Sequence, residues 1–365
     1  MKKLLLWLIV MLVGISMVAT FSLAGCKVEE AAPEEEVAEE VEEVAEEVIE
    51  EAPAELEVKE VSPAEELNLH FISTLLGHPV VRITSAGFLK ACYDYGYNGK
   101  LLAPEGHDTE ILIKYFEQAI AEDSDGILSW STDVQAFYPV IIKAREAGIP
   151  VIEVHCVLPE PVTNAYIGPN QDQYCERSAD TFAELFEKEG VTEGKIAITS
   201  GSFNDTENYV ATKFTEFMNE KYPQFTILEQ QEEGFDPVGS IQVAVSIIIA
   251  NPDIVGAFST TGGGPTTWGK AKQEAKRKDI KVISMDTVPA SIDLLLEGWV
   301  DGLVCQALFE ESYGAVELIK KIYEGEKVKY WNYMDSPIVT RENVDYWVKQ
   351  NEEVEQIHEE YGFGK

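Results

Sequence analysis

The stretch GPTTWGKA at residues 264–271 has the spacing of a phosphate-cradling loop, a glycine, four residues and then Gly-Lys, and it follows the strand-like run 254–261. That chemistry needs backbone N–H groups around the phosphates, a lysine on the outer phosphates and a Ser or Thr hydroxyl on magnesium. Ala271 stands where the hydroxyl belongs, and Pro265 removes one of the N–H groups. The stretch therefore reads as glycines that let backbone approach a cleft, followed by a helix that Pro265 opens and on which Lys270 points away from any ligand. Asp123-Ser124-Asp125-Gly126 hints at a calcium loop, but its glycine comes too early and no bidentate Glu follows at the required distance. A turn is the better reading. Cys92, Cys156, Cys175 and Cys305 show no zinc spacing and read as buried free thiols, although three disulfide pairings are formally open to them.

The elements that must position any site begin near residue 67. Short β-branched runs alternate with helical patterns through LNLHFIST, KLLAPE, GILSWS and PVIEVHCV, and a second series follows through KIAITSG, VGAFSTT, KVISMDT and VDGLVCQ. This alternation predicts βα units and parallel sheets. One sheet of so many strands would be unusually long, so the expected fold is α/β with two doubly wound lobes. Ligands in such sheets sit beyond the carboxyl ends of the strands. Those ends carry Trp130, His155, residues 201–204, residues 260–264, Asp286 and Gln306. Carboxylate and amide oxygens accept hydroxyl protons and an aromatic face covers the apolar side of a ring, so the set suits a small, neutral, hydroxyl-rich molecule. No nucleophile stands beside an evident base and no close carboxylate pair is legible, which predicts binding without catalysis and without a metal or cofactor.

The N-terminus sets the compartment. MKK leads an apolar run that ends in Leu23-Ala24-Gly25-Cys26, a pattern that resembles the lipobox of bacterial lipoproteins. The resemblance implies a signal peptide at 1–25, cut before Cys26, whose thiol carries the lipid. A plain membrane anchor is the competing reading, and both place the remainder outside the cytoplasm, with Lys2 and Lys3 on the inner side. Residues 29–66 hold 18 Glu against a single Lys, a composition that cannot offset its own ordering entropy by burial. Val37, Val41, Val44 and Val48 recur at coiled-coil spacing, but charge repulsion favours a solvated acidic tether over 26–66. A net charge of −37 argues against nucleic acid and against anionic lipid as a docking surface.

Taken in order, SDGILSWSTD, AREAGIPVIEV, KIAITSGS, ANPDIVGAFST, KVISMDTVP, LLLEGWVDGLVCQ and GAVELIKKIYEGE resemble the type I periplasmic sugar-binding proteins, which deliver ribose, galactose and similar ligands to ABC transporters. The resemblance covers roughly residues 67–340. It implies two lobes joined by three crossing segments near Gly168, Gln306 and Asp335: 67–168 plus 307–335 in the first lobe, 169–306 plus 336–365 in the second lobe and a C-terminal tail. Two of the family's ligand contacts carry over, as Asp286 and Gln306. Elsewhere the chain departs. Gly77-His78-Pro79-Val80-Val81 replaces Asn-Pro-Phe-Phe, His155-Cys156 replaces Asp-Arg, Thr261-Gly262 replaces Asn-Asp, and the helix arginine gives way to residues around Asn208. The expected ligand set is therefore Asp286, Gln306, Trp130, His155, Thr261, Asn208, His78 and Trp268. Capping of the helix at Pro289 by Asp286, hinge bonding by Gln306 and core roles for Trp130 and His155 are the competing structural readings. The implied role is an extracytoplasmic, lipid-anchored binder of a sugar or polyol, partnered by an ABC permease. A sensory module docking on a membrane receptor, an envelope carbohydrate hydrolase and a binder of nucleosides or autoinducers stand as alternatives.

Overall fold

The structure is a computed structural model, and it describes residues 66–106, 108–158 and 161–362. Cys26, the signal peptide and the tether lie outside the described residues.

The first lobe takes the chain through β1 (Asn68–Ile72), α1 (Pro79–Tyr95), β2 (Asn98–Leu102), α2 (Thr109–Ala121), β3 (Gly126–Ser129), α3 (Val134–Glu146), β4 (Val151–Val154) and β5 (Ala165–Pro169). The second runs through α4 (Gln171–Glu189), β6 (Gly194–Ser200), α5 (Asp205–Lys221), β7 (Phe225–Ile227), β8 (Gln231–Glu232), α6 (Pro237–Ala250), β9 (Ile254–Ser259), α7 (Gly264–Ala275), β10 (Lys281–Met285), α8 (Pro289–Glu297) and β11 (Gly302–Val304). The chain then returns for α9 (Leu308–Tyr323) and β12 (Trp331–Met334), crosses again for β13 (Ile338–Val339) and ends in α10 (Asp345–Tyr361).

The first sheet has the order β12-β5-β4-β3-β1-β2, all parallel, and the second β13-β11-β10-β9-β6-β7, with β8 beside β6 and only β13 antiparallel. Both are doubly wound, and each strand's alternate residues feed opposite faces. In the first lobe Leu69, Phe71 and Leu128 pack under α1 and α9, while Ile72, Ile127 and Val151 pack under α2 and α3. In the second, Ala197, Ala257 and Val282 face one layer, and Ile196, Phe258 and Ile283 the other. β3, β4 and β5 are buried along their whole length, as parallel strands covered on both sides must be.

Helix starts follow from capping side chains. His78, Asp108, Asp133, Asn170, Asn204 and Asp236 each accept a hydrogen bond from a backbone N–H in the first turn of α1 to α6. Since parallel strands feed their helices from one edge, these caps gather at the sheets' carboxyl ends.

The helix α10 packs against both lobes. The sequence reading gave 336–365 to the second lobe and a C-terminal tail, and Val344, Trp347 and Val348 do pack on that lobe. Val354 and Ile357, however, are buried in the first lobe's core, Tyr361 stacks on Tyr93 with ring centroids 4.2 Å apart, and Arg82 pairs with Glu355. The reason is length: 17 residues at about 1.5 Å each reach past one lobe onto α1.

Candidate functional site

The site is built from corners where strands end. After β10, Asp286 adopts a left-handed backbone, φ +72°, and after β4 His155 does the same at φ +69°. Ala307, at the second crossing, sits at φ +54°. Three non-glycine residues held in this sparsely populated region around one cleft mark a place where the fold enforces geometry.

From the second lobe Asp286 is 3% exposed, and its Oδ1 accepts a 2.7 Å hydrogen bond from Gln306 Nε2. Burial pushes its carboxyl above the usual range, while the Gln306 bond and the His155 and His78 imidazoles pull the other way. Gly262 leaves room for this carboxylate, because a Cβ at that position would lie 2.5 Å from Asp286 Oδ2 and displace it. Thr261 is buried beside it, its carbonyl 3.4 Å from Ser284 Oγ. α8 takes no side-chain cap, so Asp286 is not the helix cap that the competing reading made it.

From the first lobe Trp130 and His155 meet with ring centroids 4.5 Å apart. His155 Nδ1 lies 3.3 Å from Glu311, which is fully buried in the first turn of α9 and whose Oε1 has no hydrogen-bond partner. Burial alone would lower the imidazole's pKa, but the charge and hydrogen bond of Glu311, with Asp286 adding, raise it above its ordinary value. Burial lifts Glu311 to about 7. Both partners therefore shift in the direction that keeps a proton on the pair at neutral pH. Beneath them Glu153, buried in β4, accepts from Ser131 N at 2.7 Å and Ser131 Oγ at 3.0 Å. That anchors the corner carrying Trp130, and burial lifts Glu153 to about 8, so it is largely protonated.

Of the eight expected residues, the structure brings Asp286, Gln306, His155, Trp130, Thr261 and His78 to this cleft. His78, exposed at the N-cap of α1, faces it from the first lobe and acts electrostatically on Asp286. Trp268 is a correction: it is fully buried in the second lobe's core, with Nε1 donating to Thr199 Oγ1 at 2.8 Å. The inward face of α7 takes it away from the cleft. Asn208 stands apart as well, its Oδ1 accepting from Gln230 Nε2 at 3.1 Å inside the second lobe. Glu311 and Glu153 went unrecognised. Their signal was slight: a lone acid inside VIEV, and the second of two acids in a first helical turn, where acids are ordinary.

Cys92, Cys156, Cys175 and Cys305 are buried free thiols. Among the described residues no group of three or more His, Cys, Asp or Glu is placed to hold a metal, and no helix is long and apolar enough to cross a membrane.

The sequence profile of the periplasmic binding protein domain matches residues 69–327. The chain belongs to that family. This periplasmic binding protein is 22% identical over 278 residues to the ribose import binding protein of Escherichia coli K12, covering 74% of this chain and 90% of the relative. It is equally 22% identical over 241 residues to the D-apiose import binding protein of Actinobacillus succinogenes, 66% of this chain and 76% of that one. Among solved structures, the arabinose binding protein of Geobacillus stearothermophilus superposes with a TM-score of 0.70 at 22% identity, covering 78% and 99% of the two chains. The fold of two parallel-sheet lobes is thus that of the type I sugar-binding members, and the periplasmic binding protein's own cleft residues must argue its ligand.

Proposed function

We propose that this protein is an extracytoplasmic solute-binding protein that captures a sugar or polyol between its two lobes and hands it to an ABC importer. The observation that carries the reading is the buried Asp286 of the second lobe, bonded to the half-buried Gln306, facing the Trp130–His155 pair of the first. The former accepts and orients hydroxyl groups, and the latter offers an aromatic edge and an imidazole donor. The family match and relatives named for ribose and apiose import support the same class of ligand. The reading is one of binding alone.

Binding draws the lobes together because the ligand touches both. A ligand shifts an open–closed equilibrium only through contacts that differ between the states, and here those contacts are Asp286 and Gln306 on one side, His155 and Trp130 on the other. The signal-like N-terminus ending at Cys26 supports a lipid anchor on that thiol, with the acidic tether giving the lobes reach from the membrane.

Thermal melting of the full chain against pentoses, hexoses, polyols and nucleosides tests the proposal, since a ligand that binds only the native state raises its stability by RT ln(1 + [L]/Kd). A sugar or polyol should raise the melting temperature. A rise with nucleosides only, or release of hydrolysed product from a bound glycoside, overturns it.

A further inference from the structure

The polar group at Asp286 and Trp130 is tightly enclosed, the two residues being 3% and 7% exposed. A more open space lies at the neighbouring corners. A cavity of about 720 Å³ is lined from both lobes by the corners after β3, β4 and β5 and by the start of α5. None of the proposed site's residues lines it, but the two adjoin along the chain, for Ser131 follows Trp130 and Val157 stands two residues beyond His155. Its size falls within the span of pockets that bury multi-ring ligands.

Three features decide what fits. First, the N-termini of α3, α4 and α5 converge on the cavity, which would ordinarily favour an anion. Each is already served by its own cap, Asp133 accepting from Ala136 N at 3.4 Å, Asn170 from Gln173 N at 3.1 Å and Asn204 from Glu207 N at 2.9 Å. Second, none of the described lining residues is Lys or Arg, and Asp133 and Asp172 bring negative charge, so the occupant is not anionic. Third, two tyrosine rings are presented to the cavity from different elements, Tyr209 on α5 at 42% exposure and Tyr333 on β12 at 52%. Neither ring is loose. Tyr333 stacks on Trp331 at 5.7 Å with 7° between planes and meets Tyr166 edge-on at 5.9 Å. Tyr209 donates its hydroxyl to Asp172 Oδ1 at 2.7 Å and carries the Lys213 ammonium 5.8 Å from its ring centroid. Half-exposed rings fixed in place this way are binding platforms, because the rotamer entropy that a ligand would otherwise have to remove is already gone.

Resting on the sugar reading above, we infer that the ligand is larger than one ring, with a second sugar residue lying against Tyr209 and Tyr333 while the first engages Asp286 and Gln306. The amide and hydroxyl groups of the lining bond its hydroxyls, and the tyrosine faces cover its C–H surface.

Calorimetric titration of the full chain with xylose, arabinose, glucose and galactose, and with xylobiose, arabinobiose, cellobiose and galactobiose, tests this. One disaccharide should bind at least tenfold more tightly than its monosaccharide. Tyr209→Ala and Tyr333→Ala should each weaken that disaccharide roughly tenfold and leave the monosaccharide within twofold of the parent. Tyr209→Phe, which keeps the ring, should retain most of the disaccharide affinity. Monosaccharide binding without a disaccharide advantage overturns the inference and leaves the sugar reading standing, as do tyrosine variants that bind the disaccharide like the parent. Binding of neither class removes both.

Discussion

At the scale of single residues Asp286 carries the greatest consequence. Its buried carboxylate has one oxygen on Gln306 and the other free to accept from a ligand, and bonds to charged groups contribute roughly 1.5–3 kcal/mol each. Asp286→Ala should therefore weaken binding by about one to two orders of magnitude for each ligand bond lost, since the Gln306 bond is already present without ligand and cancels between the free and bound states. Calorimetry on the ligand found by thermal melting measures this, and an unchanged affinity would assign Asp286 to local structure alone. That Asp286, Gln306, Trp130 and His155 stand at strand ends was legible in the sequence, because strand ends follow from the βα alternation. Trp268 was not. A residue in the second turn of a helix near the cleft faces either the ligand or the core, and only the rotation of α7 decides which. Glu311 and Glu153 were illegible for a different reason. Their roles depend on burial against His155 and Ser131, partners 156 and 22 residues away in sequence, and nothing local marks a carboxyl that will be enclosed.

At the scale of elements the sheets were foreseeable and the path of the last helix was not. Val354 and Ile357 give α10 an apolar face, but an apolar face does not say which lobe covers it. Burial of two such side chains contributes about 1.5–3 kcal/mol each, whereas the exposed Arg82–Glu355 pair adds 1 kcal/mol or less. A chain ending at Lys349 should lose roughly 3 kcal/mol or more in urea unfolding, and equal midpoints would show that the helix only drapes the surface. Asn351 Nδ2 bonds Thr287 O of the second lobe at 2.8 Å while Ile357 is buried in the first, so the same truncation should also loosen the coupling between the lobes. α7 gives the opposite expectation. Lys270 is exposed on its surface, and Ala271 is buried in the core where a metal-binding hydroxyl would be needed. Lys270→Ala should leave ligand affinity and stability unchanged, and equilibrium dialysis should detect no ATP binding to either form.

At the scale of the whole molecule the buried acids fix how stability responds to pH. Burial raises Glu153 to about 8 and Glu233 and Glu311 to about 7, and it raises Asp286 as well; the His155 imidazole is raised by Glu311 and Asp286 against the opposing effect of burial. Each such group binds its proton more tightly folded than unfolded. The unfolded chain, whose carboxyls titrate near 4, therefore releases protons that the native state retains as the pH climbs through 5 to 8. With fewer protons bound by the unfolded chain, unfolding free energy falls with rising pH, by as much as about 1.4 kcal/mol per unit for each proton of difference. His70 and His358, lowered chiefly by burial, oppose this around pH 6, but they are two against a larger set. Glu122, held down to about 2 by its bonds to Lys100, Gln118 and His70, supplies stability that is lost only on the acid side, between about pH 4 and 2. Melting temperature should consequently be higher at pH 5.5 than at pH 8. The net charge of −37 pushes the same way through exposed repulsion, so the measurement belongs in 0.5 M NaCl, where charges more than a few ångströms apart on the surface are screened and buried groups are not. Glu153→Gln provides the control. It keeps the side chain's shape, offers Ser131 an oxygen, and has no proton to lose, so it should flatten the slope between pH 6 and 8 while leaving stability at pH 5.5 close to the parent's. A variant as steep as the parent would mean that Glu153 is ionised in the folded protein, and that the acids of the core are compensated by some other charge.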